Sequence, residues 1–391
     1  MKFDLKEILF ISDDLTGAGD CGVVLRKFND EVFIYTTSKP EISKKLIIYD
    51  METRHKNEKE LDLTLRNYVS LFKENTLIFK KIDSTLRGNI KKEFEWLRNE
   101  FPETTFYFIP AFPEMNRITR GGRHYVDNIL IEESEYVKTP VNPPIGSNLK
   151  NYSPDNDTVI HVDSELLPCL KSDDCEGKFI TFDCENQTQL DLISKYIVKS
   201  IKKHKRCVIA SAAGLLNPLQ KNLKMKSLLN SQCLIPLQTL FFCGSMNSLN
   251  RELVRNLNFE IFNIDEGLLL EHEAYLDNMK ININKSLIFG KNVAVFLRGE
   301  KIFSSKSELI DLKMATLFKK VQKLAPRVVI TGGTTAYNCL KNINKFFYKV
   351  ENIVSTGIPS LSSDGSFIII KPGGFGENDF FLKITEKTEE K

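Results

Sequence analysis

The sequence predicts an α/β protein of two domains, each a largely parallel sheet flanked by helices, with the active site in the cleft between them. Three observations carry this expectation. Short apolar runs of strand length alternate with stretches of helical periodicity along most of the chain, the pattern of βαβ units. The length of 391 residues exceeds what one hydrophobic core usually serves. The alternation also pauses at a polar stretch near Gln220–Gln232 and then resumes, which puts the domains at residues 1–228 and 229–391.

In the first domain Ile8–Ile11, Val32–Tyr35, Leu46–Tyr49, Leu77–Phe79 and Phe106–Ile109 read as buried strands. Phe179–Phe182 and Cys207–Ala210 continue the layer. Ile90, Phe94 and Leu97 share one helix face, as do Leu190, Ile193, Ile197 and Ile201, so both helices suit a sheet beneath them. Residues 139–157, rich in Pro, Asn, Ser and Asp, read as an irregular crossing segment. In the second domain Leu240–Cys243, Val293–Phe296, Val328–Ile330 and Phe367–Ile370 are strand candidates. Ile310, Met314, Leu317, Val321 and Leu324 form a helical stripe between two of them.

Composition narrows the function. With 54 basic and 51 acidic residues the formal charge is +3, too balanced for a chain whose main task is binding nucleic acid. The densest basic run, Lys199, Lys202, Lys203, Lys205 and Arg206, reads as a solvated helix end. Eight cysteines lie scattered without a CxxC pair or zinc-ligand spacing, so they read as reduced and mostly buried thiols. No apolar run is long enough to cross a bilayer and the N-terminus lacks a signal-peptide pattern, so the expectation is a cytoplasmic protein with no membrane partner.

Chemistry gathers where strands end. The first strand runs into Ser12-Asp13-Asp14-Leu15-Thr16-Gly17-Ala18-Gly19-Asp20, and the fourth into Lys81-Ile82-Asp83-Ser84-Thr85-Leu86-Arg87-Gly88. In open parallel sheets that edge holds ligands. One helix cap does not require three acids, so Asp13, Asp14 and Asp20 point to function. Arg87 and Lys81 suit a carboxylate, while Asp83 and Ser84 suit hydroxyls, which together describes a polyhydroxy acid. Arg54, after the third strand, is a further candidate contact, and the loop bearing Arg117, Arg120, Arg123 and His124 is a candidate cover for an anion.

The second domain offers three small, amide-rich turns after strands, at Gly244-Ser245, at Gly332-Gly333-Thr334-Thr335, and at Lys371 with Gly373, Gly374 and Gly376. Such turns let backbone N–H groups approach phosphate, so a nucleotide is the expected ligand. Neither GxxxxGK[ST] nor a strand-linked GxGxxG is present, which argues against a Walker-type NTPase and a nicotinamide enzyme.

Taken in order, DDLTGAGD at residues 13–20, KIDSTLRG at 81–88, PAFP at 110–113, HYVDN from His124, SAAGL at 211–215, GS at 244–245, TGG at 331–333 and KPGGFG at 371–376 resemble the four-carbon acid sugar kinase family over nearly the whole chain. The resemblance implies an N-terminal domain that contacts the sugar acid through Asp13, Asp14, Arg54, Lys81, Asp83, Ser84, Arg87 and Gly88. It implies ATP contacts from Ser245, Gly332, Gly333, Gly374 and neighbours, and phosphorylation of the terminal hydroxyl of threonate, erythronate or 3-oxo-tetronate. ATP is then the donor, with Mg²⁺, and a homo-oligomer is allowed. Asp14 leads as general base, with Asp83 and Asp20 behind it; no metal ligands are assigned. The chain departs from the family pattern at Thr334-Thr335, where relatives usually place an acid before the second Thr, and at Asn247, Asn250, Leu253 and Asn116-Arg117-Ile118. Those departures motivate a second reading, a catalytically silent sensor of sugar acid or nucleotide.

Overall fold

The computed structural model describes residues 7–36, 46–139, 141–163, 165–169, 175–201, 203–224, 228, 237–244, 254–255, 257–298, 307–355, 358–371, 380 and 384. Two compact units divide the chain, Met1–Leu228 and Leu229–Lys391.

The first unit contains β1 (Leu9–Ser12), α1 (Leu15–Arg26), β2 (Val32–Tyr35), β3 (Leu46–Asp50), α2 (Glu58–Asn67), α3 (Val69–Glu74), β4 (Leu77–Lys81), α4 (Ile90–Glu100) and β5 (Thr105–Ile109). A ribbon of β6 (Arg117–Arg120), β7 (Arg123–Val126) and β8 (Ile129–Leu130) comes next. Then come β9 (Val159–Val162), β10 (Phe179–Phe182), α5 (Gln187–Ser200), β11 (Cys207–Ser211) and α6 (Leu216–Asn222). The sheet order is β2-β3-β1-β4-β11-β5-β10-β9, and every pair is parallel. Parallel strands need cover on both faces, which is why β1, β3, β4, β5, β10 and β11 are buried at every position. α4 buries Ile90, Phe94 and Leu97. The Phe94 ring meets those of Phe106, Phe108 and Phe179 edge-on at 5.2 to 5.5 Å.

The second unit contains β12 (Thr239–Cys243), β13 (Phe259–Asp265), α7 (Glu266–Glu271), α8 (Glu273–Ile288) and β14 (Asn292–Arg298). It continues with α9 (Ser307–Val321), β15 (Arg327–Thr331), α10 (Gly333–Asn342), β16 (Phe347–Ser355), β17 (Ile358–Ser363) and β18 (Ser366–Lys371). Its strand order is β13-β14-β12-β15-β18-β17-β16, parallel from β13 to β18 and antiparallel in the last two pairs. Among the described residues no helix is long and apolar enough to cross a membrane.

Two expectations change. Arg206 is not a solvated helix end: it is 7 % exposed, donates to the Phe72 and Asn75 carbonyls at 2.5 and 2.7 Å, and stacks 4.2 Å above the Phe101 ring. A guanidinium can be buried when carbonyls and an aromatic face receive it, whereas a run of charges in sequence suggests only water. The Arg117–His124 loop is an antiparallel ribbon tied into the unit. Thr119 pairs with Cys184, Arg117 donates to the Met115 carbonyl, and Arg120 meets Glu185 at 2.5 Å.

Candidate active site

Strand order alone locates a crevice in the first unit. β1 and β4 are neighbours whose onward connections run to opposite sides, from β1 to β2 and from β4 to β5, and the carboxyl ends of strands at such a point are where open α/β sheets hold ligands. The register brings three chain segments level there: Ser12 pairs with Asp50 on one side and Lys81 on the other. The turns that leave these three strand ends therefore converge on one rim.

After β1 the chain turns into α1, with Asp14 as N-cap accepting from Gly17 N at 2.7 Å and from the Thr16 hydroxyl. After β3 comes Arg54, whose guanidinium spans both acids. Its Nε and Nη2 reach Asp13 at 2.9 Å each, and Nη1 and Nη2 reach Asp14 at 2.6 and 2.8 Å. Arg54 is 7 % exposed and its backbone N–H also bonds the Asp13 carbonyl at 3.1 Å. Four charge-assisted bonds occupy most of the five N–H groups of an arginine, so Arg54 organises the paired acids.

After β4, Lys81 donates to the Ile82 carbonyl at 3.0 Å and stands 3.9 Å from Asp20, which α1 brings in one and a half turns beyond Asp14. Asp83 receives Arg87 Nε and the Thr85 hydroxyl, each at 2.5 Å. Neither Asp83 nor Ser84 caps α4, whose N-cap is Asn89. Gly88 has φ 104°, a backbone favouring glycine, and lies against Arg54 Cγ and Cα. Asn142 seals this turn, accepting from Gly88 N at 2.8 Å and donating to the Arg54 carbonyl at 2.9 Å.

His124 is fully buried with Nε2 2.8 Å from the Ser84 carbonyl, which can only accept; the ring is therefore the Nε2–H tautomer, with Nδ1 facing the Thr119 hydroxyl at 3.4 Å. Burial pushes its pKa down to about 4, so it is a neutral strut that fixes Ser84, not a group facing an anion.

Electrostatics sort the acids. Burial pushes Asp14 up, but Arg54, Lys81 and the bonds from Thr16 and Gly17 outweigh it and hold the carboxyl below its usual range. Burial is likewise overcome at Asp83, by Arg87 and Arg54, leaving it far below that range. At Asp20 burial prevails over Lys81, with Asp14 adding repulsion, and the pKa rises to about 7. Sequence reasoning missed two more acids on this rim, Asp50 and Glu52, although an acid closing an apolar strand was a signal for Asp50. Arg87 is the most open cation of the cluster, its side chain 29 % exposed and 5.3 Å above the Tyr136 ring.

In the second unit β12 is the equivalent branch point, between β14 and β15. Cys243 pairs with Thr331 and Thr331 with Lys371, so Gly244, Gly332 and Lys371 lie level on adjacent strand ends. Gly332 N bonds the Lys371 carbonyl at 3.0 Å and Gly333 begins α10, where Thr334 is exposed and Thr335 buried. Thr335 packs on Gly244 so closely that a Cβ there would sit 2.1 Å from its Oγ1. Burial lowers Lys371 to about 8. Ser245, Gly373, Gly374 and Gly376 lie outside the described residues, as do Asn247, Asn250 and Leu253. Among the described residues no cluster of three or more His, Cys, Asp or Glu side chains has the arrangement of a metal site.

Comparison with known proteins covers both units. A family model described as a sugar-binding N-terminal domain matches residues 8–219, and one described as a nucleotide-binding C-terminal domain matches residues 243–381. A D-threonate kinase of Salmonella typhimurium is 22% identical, over 95% of this chain and 96% of its own. A 3-oxo-tetronate kinase of Haemophilus influenzae is 22% identical, over 95% and 97%. A D-erythronate kinase of Heliobacterium modesticaldum is 25% identical over 49% and 48%. Among solved structures, a Haemophilus influenzae protein superposes with a TM-score of 0.71 at 18% identity, covering 96% of this chain and 98% of its own. A Salmonella typhimurium chain, described provisionally as a tRNA synthase, gives 0.78 at 16% identity with the same coverage. At those identities the superpositions speak to the fold alone.

Proposed function

Because the chain belongs to the four-carbon acid sugar kinase family, we propose that it transfers the terminal phosphoryl group of Mg-ATP to the terminal hydroxyl of a four-carbon sugar acid of the threonate, erythronate or 3-oxo-tetronate class. One observation carries the reading at the level of residues: the strand ends of β1, β3 and β4, level in register, gather Asp13, Asp14, Asp20, Lys81, Asp83 and Arg87 around one buried arginine. A polyhydroxy carboxylate needs cations at one end and hydrogen-bond acceptors for its hydroxyls along the rest, and this rim offers both.

In this reading Arg87 and Lys81 meet the acid's carboxylate, while Asp83 and Ser84 take hydroxyls. Arg54 stays with Asp13 and Asp14 and fixes their orientation. The general base passes from Asp14 to Asp20. Asp14 has both oxygens committed and a lowered pKa, so it is a weak proton acceptor, whereas Asp20 titrates near neutrality beside a cation. Phosphoryl transfer asks chiefly for positioning and charge neutralisation, so a base of this strength suffices. On the donor side the turns at Gly244, Gly332–Thr335 and Lys371 supply amides, a helix N-terminus and a cation for phosphate. Mg²⁺ arrives with the triphosphate.

The test is ADP release with Mg-ATP and a panel of threonates, erythronates and 3-oxo-tetronates, with the phosphorylated product identified by mass spectrometry. Turnover of one acid is the expected result. Thermal stabilisation by acid and ATP with no turnover of any panel member would sink the kinase reading in favour of a sensor.

A further inference from the structure

Asp50 and Glu52 stand two residues apart where β3 ends, on the rim that carries the acceptor cluster. Asp50 is 2 % exposed; its Oδ1 accepts Glu52 N at 3.1 Å, and its Oδ2 has no donor. Glu52 has φ 49°, a left-handed conformation that is strained for a non-glycine residue and persists only where surroundings hold it. Its carboxyl reaches α1, where Oε1 accepts Leu15 N at 3.1 Å. Leu15 N is the first helical amide, directly after Asp14. The Glu52 carboxyl also neighbours the Asp50 carboxyl, within reach of a hydrogen bond if either is protonated.

Two carboxylates are acceptors only, so this contact becomes a hydrogen bond when one proton lies between them. Of the groups facing the pair, Asp14, at the N-terminus of α1, opposes a second negative charge; Arg54, two residues beyond Glu52, and the Leu15 N–H act the other way, but Arg54 spends four hydrogen bonds on Asp13 and Asp14. Burial adds to this: it pushes Asp50 well above the usual carboxylate range, with Glu52 and Asp14 contributing, and Glu52 up to about 8, with Asp14 contributing.

We propose that Asp50 and Glu52 share one proton and act together as a positioning pair, holding the Asp13–Asp14–Leu15 turn in the orientation that Arg54 grips. The claim that this serves phosphoryl transfer rests on the kinase reading; the claim that the pair shares a proton and holds the turn does not. With the proton in place, Glu52 is neutral or half-charged and keeps Leu15 N. Once it leaves, repulsion among Asp50, Glu52 and Asp14 loosens the turn.

Glu52→Gln supplies a permanent neutral mimic whose amide donates to Asp50 and whose carbonyl accepts Leu15 N; Glu52→Ala supplies neither. A carboxyl with a raised pKa in the fold contributes stability present at low pH and lost as pH rises through its folded value. Between pH 5 and 9 the unfolding midpoint of the native chain should therefore fall relative to Glu52→Gln, by about 2–4 °C. Amide exchange over residues 13–20, corrected for its intrinsic pH dependence, should speed up about tenfold from pH 7 to 9 in the native chain, stay slow in Glu52→Gln, and be fast at both pH values in Glu52→Ala. For the acid turned over in the panel assay, KM should rise over the same pH range in the native chain and stay flat in Glu52→Gln, with KM for ATP unmoved. Parallel midpoint curves for the native chain and Glu52→Gln would overturn proton sharing, and unchanged exchange in Glu52→Ala would overturn the positioning role. The midpoint and exchange results stand without any turnover, so they separate this proposal from the kinase reading.

Discussion

Lys80 and Glu93 meet at 2.7 Å with neither side chain reaching solvent, and the other Glu93 oxygen receives the Thr53 hydroxyl at 2.5 Å. This pair lies one residue behind two site residues, because Thr53 precedes Arg54 and Lys80 precedes Lys81. Asn89, at the cap of α4, adds bonds to the Thr53 and Lys56 carbonyls at 2.8 Å each. A buried ion pair contributes little net stability when intact, yet losing one partner strands a charge. Glu93→Ala should therefore destabilise the first unit by about 3–5 kcal/mol, whereas Lys80→Met with Glu93→Leu should restore most of the loss. Denaturant titration followed in the first unit checks this. A double variant as unstable as Glu93→Ala would mean that packing, not the stranded ammonium, sets the cost.

Gly244 has no room for a side chain, since its Cβ would meet Thr335 Oγ1 at 2.1 Å and Cγ2 at 2.6 Å. The neighbour is the first turn of a helix, which cannot yield easily. Gly244→Ala should destabilise the second unit by about 1–3 kcal/mol, the range of overpacking, and weaken nucleotide binding more than acid binding. Adding Thr335→Ala, which removes the two closest atoms and leaves only Cβ at 2.9 Å, should recover part of the stability. Thermal unfolding of the three variants with and without ATP separates the two effects, and an unaffected Gly244→Ala would refute the close fit.

The legible part of this molecule was the part whose residues announce themselves by spacing. β1, β3, β4, β5, β10, β11 and β15 are apolar runs of strand length, and the Ile90, Phe94, Leu97 face reads as a helix with no tertiary information. The strands that escaped reading lack that signature. β9 is only partly buried, and β16 and β17 carry polar residues through an antiparallel pair with register shifts. Asp13, Asp14, Arg54, Lys81, Asp83 and Arg87 were visible because charged residues cluster after strands, and the register brings them together. What sequence could not show was division of labour. That Arg54 is spent on Asp13 and Asp14 and that His124 is a strut are facts of side-chain direction across elements far apart in the chain, and the left-handed turn that brings Glu52 beside Asp50 has no glycine to announce it.

His124 gives the first unit a built-in acid sensitivity. Its ring is neutral in the fold, and burial depresses its pKa to about 4 against about 6.5 when unfolded. The unfolded chain therefore binds the proton first, so the stability that His124 contributes is present above about pH 6.5 and is lost as pH falls towards 4. The loss should approach about 3 kcal/mol from this group. His124→Asn should be less stable at pH 7, having lost the close bond to the Ser84 carbonyl, yet show a shallower decline between pH 6.5 and 4. Unfolding free energies measured across that range decide it, and parallel declines would exclude His124 as the source.

Asp20 and Asp14 make opposite predictions as the base. Asp20 rises to about 7 through burial, against the pull of Lys81, and Asp14 is held low by the contacts that make it a helix cap and an arginine partner. If Asp20 takes the acceptor proton, kcat/KM for the acid should fall on the acidic side of an apparent pKa near 7, and Asp20→Asn should remove that limb while lowering turnover by about 100-fold or more. Stabilisation by ATP should be unchanged in Asp20→Asn. Asp14→Asn should also lower turnover, but through the site's geometry: half the Arg54 grip goes, stability drops, and the pH limb near 7 survives. A variant set in which the limb disappears with Asp14→Asn and persists with Asp20→Asn would return the proton to Asp14, and with it the view that a saturated, low-pKa carboxylate can still act as the acceptor.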